Sequence, residues 1–428
     1  MKLVFADDSL PTEVTKTIFL AGPNPRYKNG DAVLRTWRHD VLEELERIGY
    51  DGHVFIPMPI GSFYGETVSG AVADYDHQIE WEDAAMMRAD VILMWVDRTS
   101  TLRGMTTNIE FGRYLDSGRL IYGRPENADG CRYLDEQIKK RRKEAYSTIT
   151  AIVKEADWRL RGGAERTGGE VLVPLVIWNS KQFQDWYTHM FSGDSQGNEL
   201  RGFDIKTILC FSNRRSKITD ERSLFGFAAH VNIWVEREQR EKSNEWIFSR
   251  TATSYVVPFY IDPKTGEYNY VLIREFRSPA NNTSGYVYEF PGGSAPDESL
   301  EPLENAKQEL KEETSIDIED VSRFFIAGKR QTFATFSTNT IFTVGIQLTK
   351  EEFEKAKQLS RDEVQLGADD GERIKLFIAT EKEILRADEE DVIVDWSSIG
   401  MMTAVKHGFQ YHSAASTEQH NPLIDDFE

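Results

Sequence analysis

Three glutamates, Glu309, Glu312 and Glu313, stand at i, i+3 and i+4 in the stretch EPLENAKQELKEET. If that stretch is helical, with Leu303, Ala306 and Leu310 as its buried stripe, the three carboxylates share one face. Like charges at that spacing repel, so the arrangement calls for a positive partner. A hard divalent ion, Mg2+ or Mn2+, takes carboxylate oxygens and bridges them to phosphate. Gly292 and Gly293 just upstream let the backbone come close, and Gly293 can offer a carbonyl near the helix start. A solvated acidic face is the plainer reading of the same spacing.

A second acid with chemical potential is Glu110, in VILMWVDRTSTLRGMTTNIEFGRYL. The run passes from an apolar strand through a glycine-containing loop into the expected first turn of a helix. That is the carboxyl end of a parallel strand, where open α/β sheets place ligands. A carboxylate there can form and release a glycosyl ester while a second acid protonates the departing base. Stabilisation of the helix dipole is the structural alternative for Glu110. Gly22, Asn24 and Arg26 follow an earlier strand, where N–H groups and a guanidinium could hold a phosphate or a ribose hydroxyl. Asn108 either faces the same pocket or caps a helix. Trp81 and Trp95 either stack a base or pack the core.

These residues need a frame. TIFLAG, VFIPMP, VILMWV, LIYG and VLVPLVIW read as strands alternating with helical patterns, the rhythm of a parallel α/β sheet. In AVLRTWRHDVLEELERIG, Leu34, Trp37, Val41, Leu42 and Leu45 recur at helical spacing, and a long charged helix is expected over about 132–158. From about residue 206, HVNIWVERE, EWIFSRTATSYVVPFYI and YNYVLIREF read as consecutive strands of an α+β region. The expected organisation is a parallel-sheet, flavodoxin- or Rossmann-like domain over 1–165, a connector over 166–205, an α+β domain over 206–412 and a mobile tail over 413–428.

With 428 residues the chain exceeds one ordinary core, and 51 basic against 71 acidic residues give a net charge of −20. That balance excludes nonspecific binding of duplex nucleic acid, which needs a clustered basic face. Two cysteines and no long apolar run predict a cytoplasmic, reduced protein without a membrane span.

The segment from EFPGG to QELKEETS resembles the Nudix box, and VLIREFRSP resembles the strand before it in ADP-ribose pyrophosphatase-like members. The resemblance covers roughly 206–410. It implies that Glu309, Glu312 and Glu313 bind the metals that activate water against a phosphoanhydride, with a general base outside the box at Glu363 or Glu372. It also implies a homodimer built on the strands ahead of the box. Gln308 stands where the box has arginine and Ser315 where it ends in glycine, and the spacing after Gly293 is one residue longer, with Glu298 and Glu301 near the first acid's place. Losing the arginine removes a cation that orients a carboxylate, which raises the alternative of a nucleotide sensor that binds without turnover.

TIFLAGPNPR, RTWRHDVLEEL, QIEWEDAAMMRADVILMW and RGMTTNIEFGRYL, in that order, resemble nucleoside 2-deoxyribosyltransferase-like proteins over about 15–130. In that family the glutamate matching Glu110 attacks the anomeric carbon and the acid matching Glu82 helps handle sugar or base. The resemblances together imply an enzyme of nucleotide metabolism that takes nucleosides or nucleotides. One half would cleave or transfer an N-glycosidic bond, and the other would hydrolyse, or sense, a compound such as ADP-ribose.

Overall fold

The structure is a computed structural model that describes residues 1–415 apart from 26, 28–29, 66, 68–74, 101, 214–217, 295–299, 368–372 and 387–392. It divides into two compact units, Met1–Arg250 and Thr251–Glu428. The boundary expected near residue 206 therefore moves to Arg250. The strands Glu199–Asn213, Ile218–Val235 and Arg240–Arg250 form a three-stranded antiparallel sheet. Its Phe203, Phe227, Val231 and Ile247 share one apolar cluster with Val173, Ile177 and Phe183. The supposed connector is thus a core that ties this sheet to the first unit.

The first unit's main sheet is parallel and six-stranded, in the order Lys2–Phe5, His53–Ile56, Thr17–Ala21, Val91–Trp95, Leu120–Gly123, Ala145–Tyr146. Two clusters cover its faces, one built on Ile18, Leu20, Val41, Leu45 and Leu93, the other on Phe19, Phe55, Ala85, Ile92 and Met94. Continuous apolar strands buried on both sides are what a parallel sheet demands. Two expectations fail locally. VLVPLVIW is no strand: Gly168–Leu172 is a 3-10 turn and Leu175–Trp178 a short helix, with Pro174 at its N-cap. An all-apolar run lacks the periodicity that separates the two states, and proline favours a helix start. The long charged helix breaks into Arg132–Lys140 and Ile149–Arg159, with Arg142 at φ 56 between them.

Asp90 anchors this unit from within. Its carboxylate accepts both terminal nitrogens of Arg166 at 2.7 Å, the backbone N–H groups of Thr17 at 2.9 Å and Leu175 at 2.8 Å, and the Thr17 hydroxyl at 2.9 Å. Both ion partners are buried, so the pair joins the sheet, the segment after it and the Leu175 helix.

The second unit is a mixed sheet in the order Phe324–Gln331, Thr340–Gln347, Thr253–Ile261, Tyr268–Phe276, Tyr286–Glu289, Ile393–Val394. Gly292–Ser294 pairs with Thr253–Ile261, and Lys375–Thr380 with Tyr268–Phe276. The helices Pro302–Thr314 and Lys350–Arg361 cover one face through Ala306, Leu310, Phe353 and Ala356 against Val256, Val271 and Ile273. Met401, Met402 and Val405 of the helix Trp396–Ala415 cover the other, against Tyr270 and Leu272. The α/β first unit and α+β second unit agree with the fold class expected. The tail beyond residue 415 lies outside the described residues.

Candidate active site

Three loops meet at the carboxyl ends of the first unit's central strands. Gly22 has φ +146, and a Cβ there would meet the Trp95 carbonyl oxygen at 2.3 Å and the Trp37 ring at 2.8 Å, so glycine alone lets the strands approach. Gly104, at φ +54, opens the helix Met105–Tyr114 and abuts Pro23, whose Cγ would lie 2.7 Å from a Cβ. Helix formation at Met105 puts Glu110 in the second turn. The expected first-turn position is corrected, and the dipole explanation weakens because that field fades within the first turn.

Arg38 is the centre of the arrangement and was not singled out by sequence reasoning. It is fully buried, donates to the carbonyls of Leu20 (3.2 Å), Gly22 (3.0 Å) and Pro23 (3.3 Å), and lies 4.3 Å from the Trp37 ring centroid. Burial pulls its pKa down to about 9, while the charges of Glu110 and Glu82 work the other way, leaving it cationic at neutral pH. A tryptophan beside an arginine at the start of an amphipathic helix, in RTWRHD, was the available signal.

Around this cation sit two carboxylates. Burial raises the Glu110 pKa from 4.5 to about 7, the charge of Glu82 pushes the same way and Arg38 opposes both. Burial also raises Glu82, opposed by a hydrogen bond from Gln78 and by the charge of Arg38. Gln78 Nε2 donates to Glu82 at 2.8 Å and to the Pro57 carbonyl at 3.3 Å, and Asn24 Nδ2 donates to the same carbonyl at 3.1 Å. Asn24 Oδ1 is buried with no hydrogen-bond partner among the described residues, an acceptor left for a ligand's donor. Arg113 pairs with Asp83 at 2.5 Å, and the Asp83 charge adds a smaller upward push on both glutamates.

Several expected roles change. Trp81 and Trp95 are 6% and 4% exposed and pack in the two cores, with Trp81 Nε1 donating to the Asp8 carbonyl, so neither offers a face to a base. Asn108 neither caps nor lines the pocket: its Oδ1 accepts Arg98 Nη2 at 2.9 Å, and Arg98 also donates to the carbonyls of Gly104 and Gly130. That staple fixes the start of the Glu110 helix. Arg26 lies outside the described residues. A cavity of about 230 Å3 elsewhere in the unit, lined by Tyr114, Arg119, Leu172, Phe203, Lys206 and Ile208 among others, does not include either glutamate.

In the second unit the acidic helix forms, over Pro302–Thr314. Glu313 is buried and accepts the Gly292 N–H at 2.9 Å, and Glu309 lies against Gly293, where a Cβ would meet its Oε1 at 2.3 Å. The Gly293 carbonyl accepts Asn305 Nδ2 at 3.0 Å. Glu312 is exposed. The expected cluster of three is thus a pair at the glycine turn, because Glu313 borders the buried stripe and Glu312 is turned from it. Among the described residues no group of three or more His, Cys, Asp or Glu side chains is placed to hold a metal ion. Glu363, the expected base, ends the helix Lys350–Arg361 at φ 48 and pairs with Lys375, which holds its pKa below the ordinary carboxylate value. An acid so stabilised as the anion is a poor base. Glu372 lies outside the described residues.

Residues 15–128 match the family described as nucleoside 2-deoxyribosyltransferase like. Over this stretch the chain is similar to that family. The stretch holds Asn24, Arg38, Gln78, Glu82 and Glu110, so the family match and the carboxylate site coincide. No curated protein matches the chain. Among solved structures, one described as an ADP compounds hydrolase is similar at 14% identity, with a TM-score of 0.31, covering 50% of this chain and 97% of the other. At that score the likeness carries no argument about the second unit. No helix among the described residues is long and apolar enough to cross a membrane.

Proposed function

We propose that the first unit cleaves or transfers the N-glycosidic bond of a nucleoside or nucleotide. The observation that carries this is the pair Glu82 and Glu110 around the buried Arg38, inside the domain that matches the deoxyribosyltransferase-like family. Glu110 as carboxylate attacks the anomeric carbon as the bond to the base breaks, and the base leaves with a proton from Glu82. The glycosyl ester on Glu110 is then released to water or to a second base. Arg38 keeps a share of both glutamates ionised, and the Asn24 carbonyl oxygen accepts a sugar hydroxyl or a base N–H. Incubation with deoxynucleosides, ribonucleosides, their monophosphates and NAD, followed by chromatography, should yield free base from at least one. Release from none of them would overturn the reading.

For the second unit, the pair Glu309 and Glu313 at the glycine turn favours Mg2+ or Mn2+ held with the phosphates of a nucleoside diphosphate-linked compound, since Mg2+ takes one or two carboxylates plus substrate phosphate. Whether such a compound is hydrolysed or only sensed is decided by assaying AMP release from ADP-ribose beside calorimetric binding. Neither binding nor release would remove the reading.

A further inference from the structure

The second unit carries a cation and aromatic rings on the sheet face opposite its acidic helix. In Tyr268–Phe276, the residues Val271 and Ile273 face Ala306 and Leu310 of that helix, whereas Tyr270 and Leu272 face Met401 and Met402. Alternation puts Arg274 and Phe276 on the second side. Register adds their neighbours: Tyr286 opposite Phe276, Tyr288 and Lys375 opposite Arg274, and Phe377 opposite Leu272. Directly paired residues share a face. The cover from the Trp396–Ala415 helix stops short of this end, where Phe276 and Phe377 are 56% and 39% exposed.

Arg274 sets the patch apart. Its guanidinium lies 3.9 Å from the Tyr286 ring centroid and 6.0 Å from that of Tyr288, yet it donates no hydrogen bond and joins no ion pair with any described residue. Among the described residues its Nε is buried without a partner and its terminal nitrogens meet no acceptor, so packing on the tyrosine holds the side chain. Glu363, a described acid that feels its charge, is tied to Lys375. Such a fork matches the oxygens of a phosphate, and the rings beside it, with Tyr288 and Phe377 4.7 Å apart, offer apolar faces.

We propose that Arg274, Tyr286, Tyr288 and Phe377 bind a nucleoside monophosphate, the phosphate on Arg274 and the base against the rings. The three strands span about 10 Å and the i, i+2 repeat about 7 Å, room for one base and one phosphate. A longer polyanion is opposed by the net charge of −20. The patch shares no residue with the Glu110 site and lies on the sheet face opposite the helix of Glu309 and Glu313.

The test is calorimetry of the full chain with AMP and UMP in EDTA, beside inorganic phosphate, for the parent, Arg274→Gln, Phe377→Ala and Glu110→Gln. The expected result is saturable binding that weakens about tenfold or more in Arg274→Gln and in Phe377→Ala, persists in Glu110→Gln, and is at least about tenfold weaker for inorganic phosphate. Because Arg274 makes no hydrogen bond with any described residue, its variant should fold, and Phe377→Ala tests the ring platform independently. Unchanged nucleotide binding in Arg274→Gln, equal affinity for phosphate and nucleotide, or no saturable binding would overturn the proposal. So would concentration-dependent self-association that Phe377→Ala abolishes, since the patch would then be a contact between copies of the chain.

Discussion

Glu110→Gln should remove activity and stabilise the protein at once, and the two effects share a cause. Raising a buried carboxyl's pKa from 4.5 to about 7 means that the ionised form is disfavoured in the folded state. At about 1.4 kcal/mol for each pH unit, the full cost is about 3.5 kcal/mol, and screening at the half-buried edge lowers it to about 2–3 kcal/mol. The sign follows from linkage. Below about pH 4.5 Glu110 is neutral folded and unfolded, and no penalty exists. As pH rises towards and through about 7 the unfolded chain releases the proton and the folded one must follow at a cost, so stability falls. Glutamine has the same shape and never ionises. Glu110→Gln should therefore melt with the parent near pH 4.5 and about 5–10 °C above it at pH 8. Differential scanning calorimetry at the two pH values reads this, and base release by the same protein should fall by several orders of magnitude. A variant no more stable than the parent at pH 8, or equally shifted at both pH values, would refute the argument that Glu110 is held at the expense of folding.

Other outcomes follow from the same geometry. If Glu110 attacks as carboxylate while Glu82 gives the base its proton, kcat/KM for base release should rise with pH through about 7 and fall again once Glu82 has lost that proton, and a profile that only falls through about 7 would instead make Glu110 the proton donor. Gln78→Ala removes the donor that favours the Glu82 anion, so the pH dependence assigned to Glu82 should move upward while the fold, read by circular dichroism, is retained. Asp90→Ala strands Arg166 in the core and should cost about 3–5 kcal/mol in urea unfolding, far more than loss of an exposed pair such as Arg35 with Asp40. Gly293→Ala pushes a methyl into the place of the Glu309 carboxylate. It should change metal-free stability by about 1 kcal/mol or less, since a flexible side chain gives way, yet abolish any stabilisation by millimolar Mg2+ at matched ionic strength.

The legible parts of this protein were those governed by short-range pattern. Parallel strands buried on both faces announce themselves as apolar runs, and Thr17–Ala21, His53–Ile56 and Val91–Trp95 appear where those runs lie. The helix Pro302–Thr314 follows from its stripe of Ala306 and Leu310. VLVPLVIW misleads for the same reason the others succeed, because pattern reports burial and Pro174 decides geometry. The unit boundary was illegible since it depends on which core receives the inner face of the three-stranded sheet, a choice made by Phe183 and its neighbours across a long stretch of chain.

The site divides along the same line. Glu82 and Glu110 could be picked out as acids of the right type beside the right strand, but what sets their character is a residue from a different helix. Arg38 is buried because its donors satisfy the Leu20 carbonyl of the strand Thr17–Ala21 and those of Gly22 and Pro23 in the loop after it. A buried cation so held needs no carboxylate in contact, so its charge remains available to two acids at longer range, and one fixed guanidinium both shapes the loop and tempers the pair. The acidic helix shows the converse. Its spacing predicted three convergent carboxylates, and the glycine turn receives two, because a backbone N–H at Gly292 and the missing side chain at Gly293 choose which glutamates turn inward. Spacing puts acids on a face; the partner opposite that face decides which of them do chemistry.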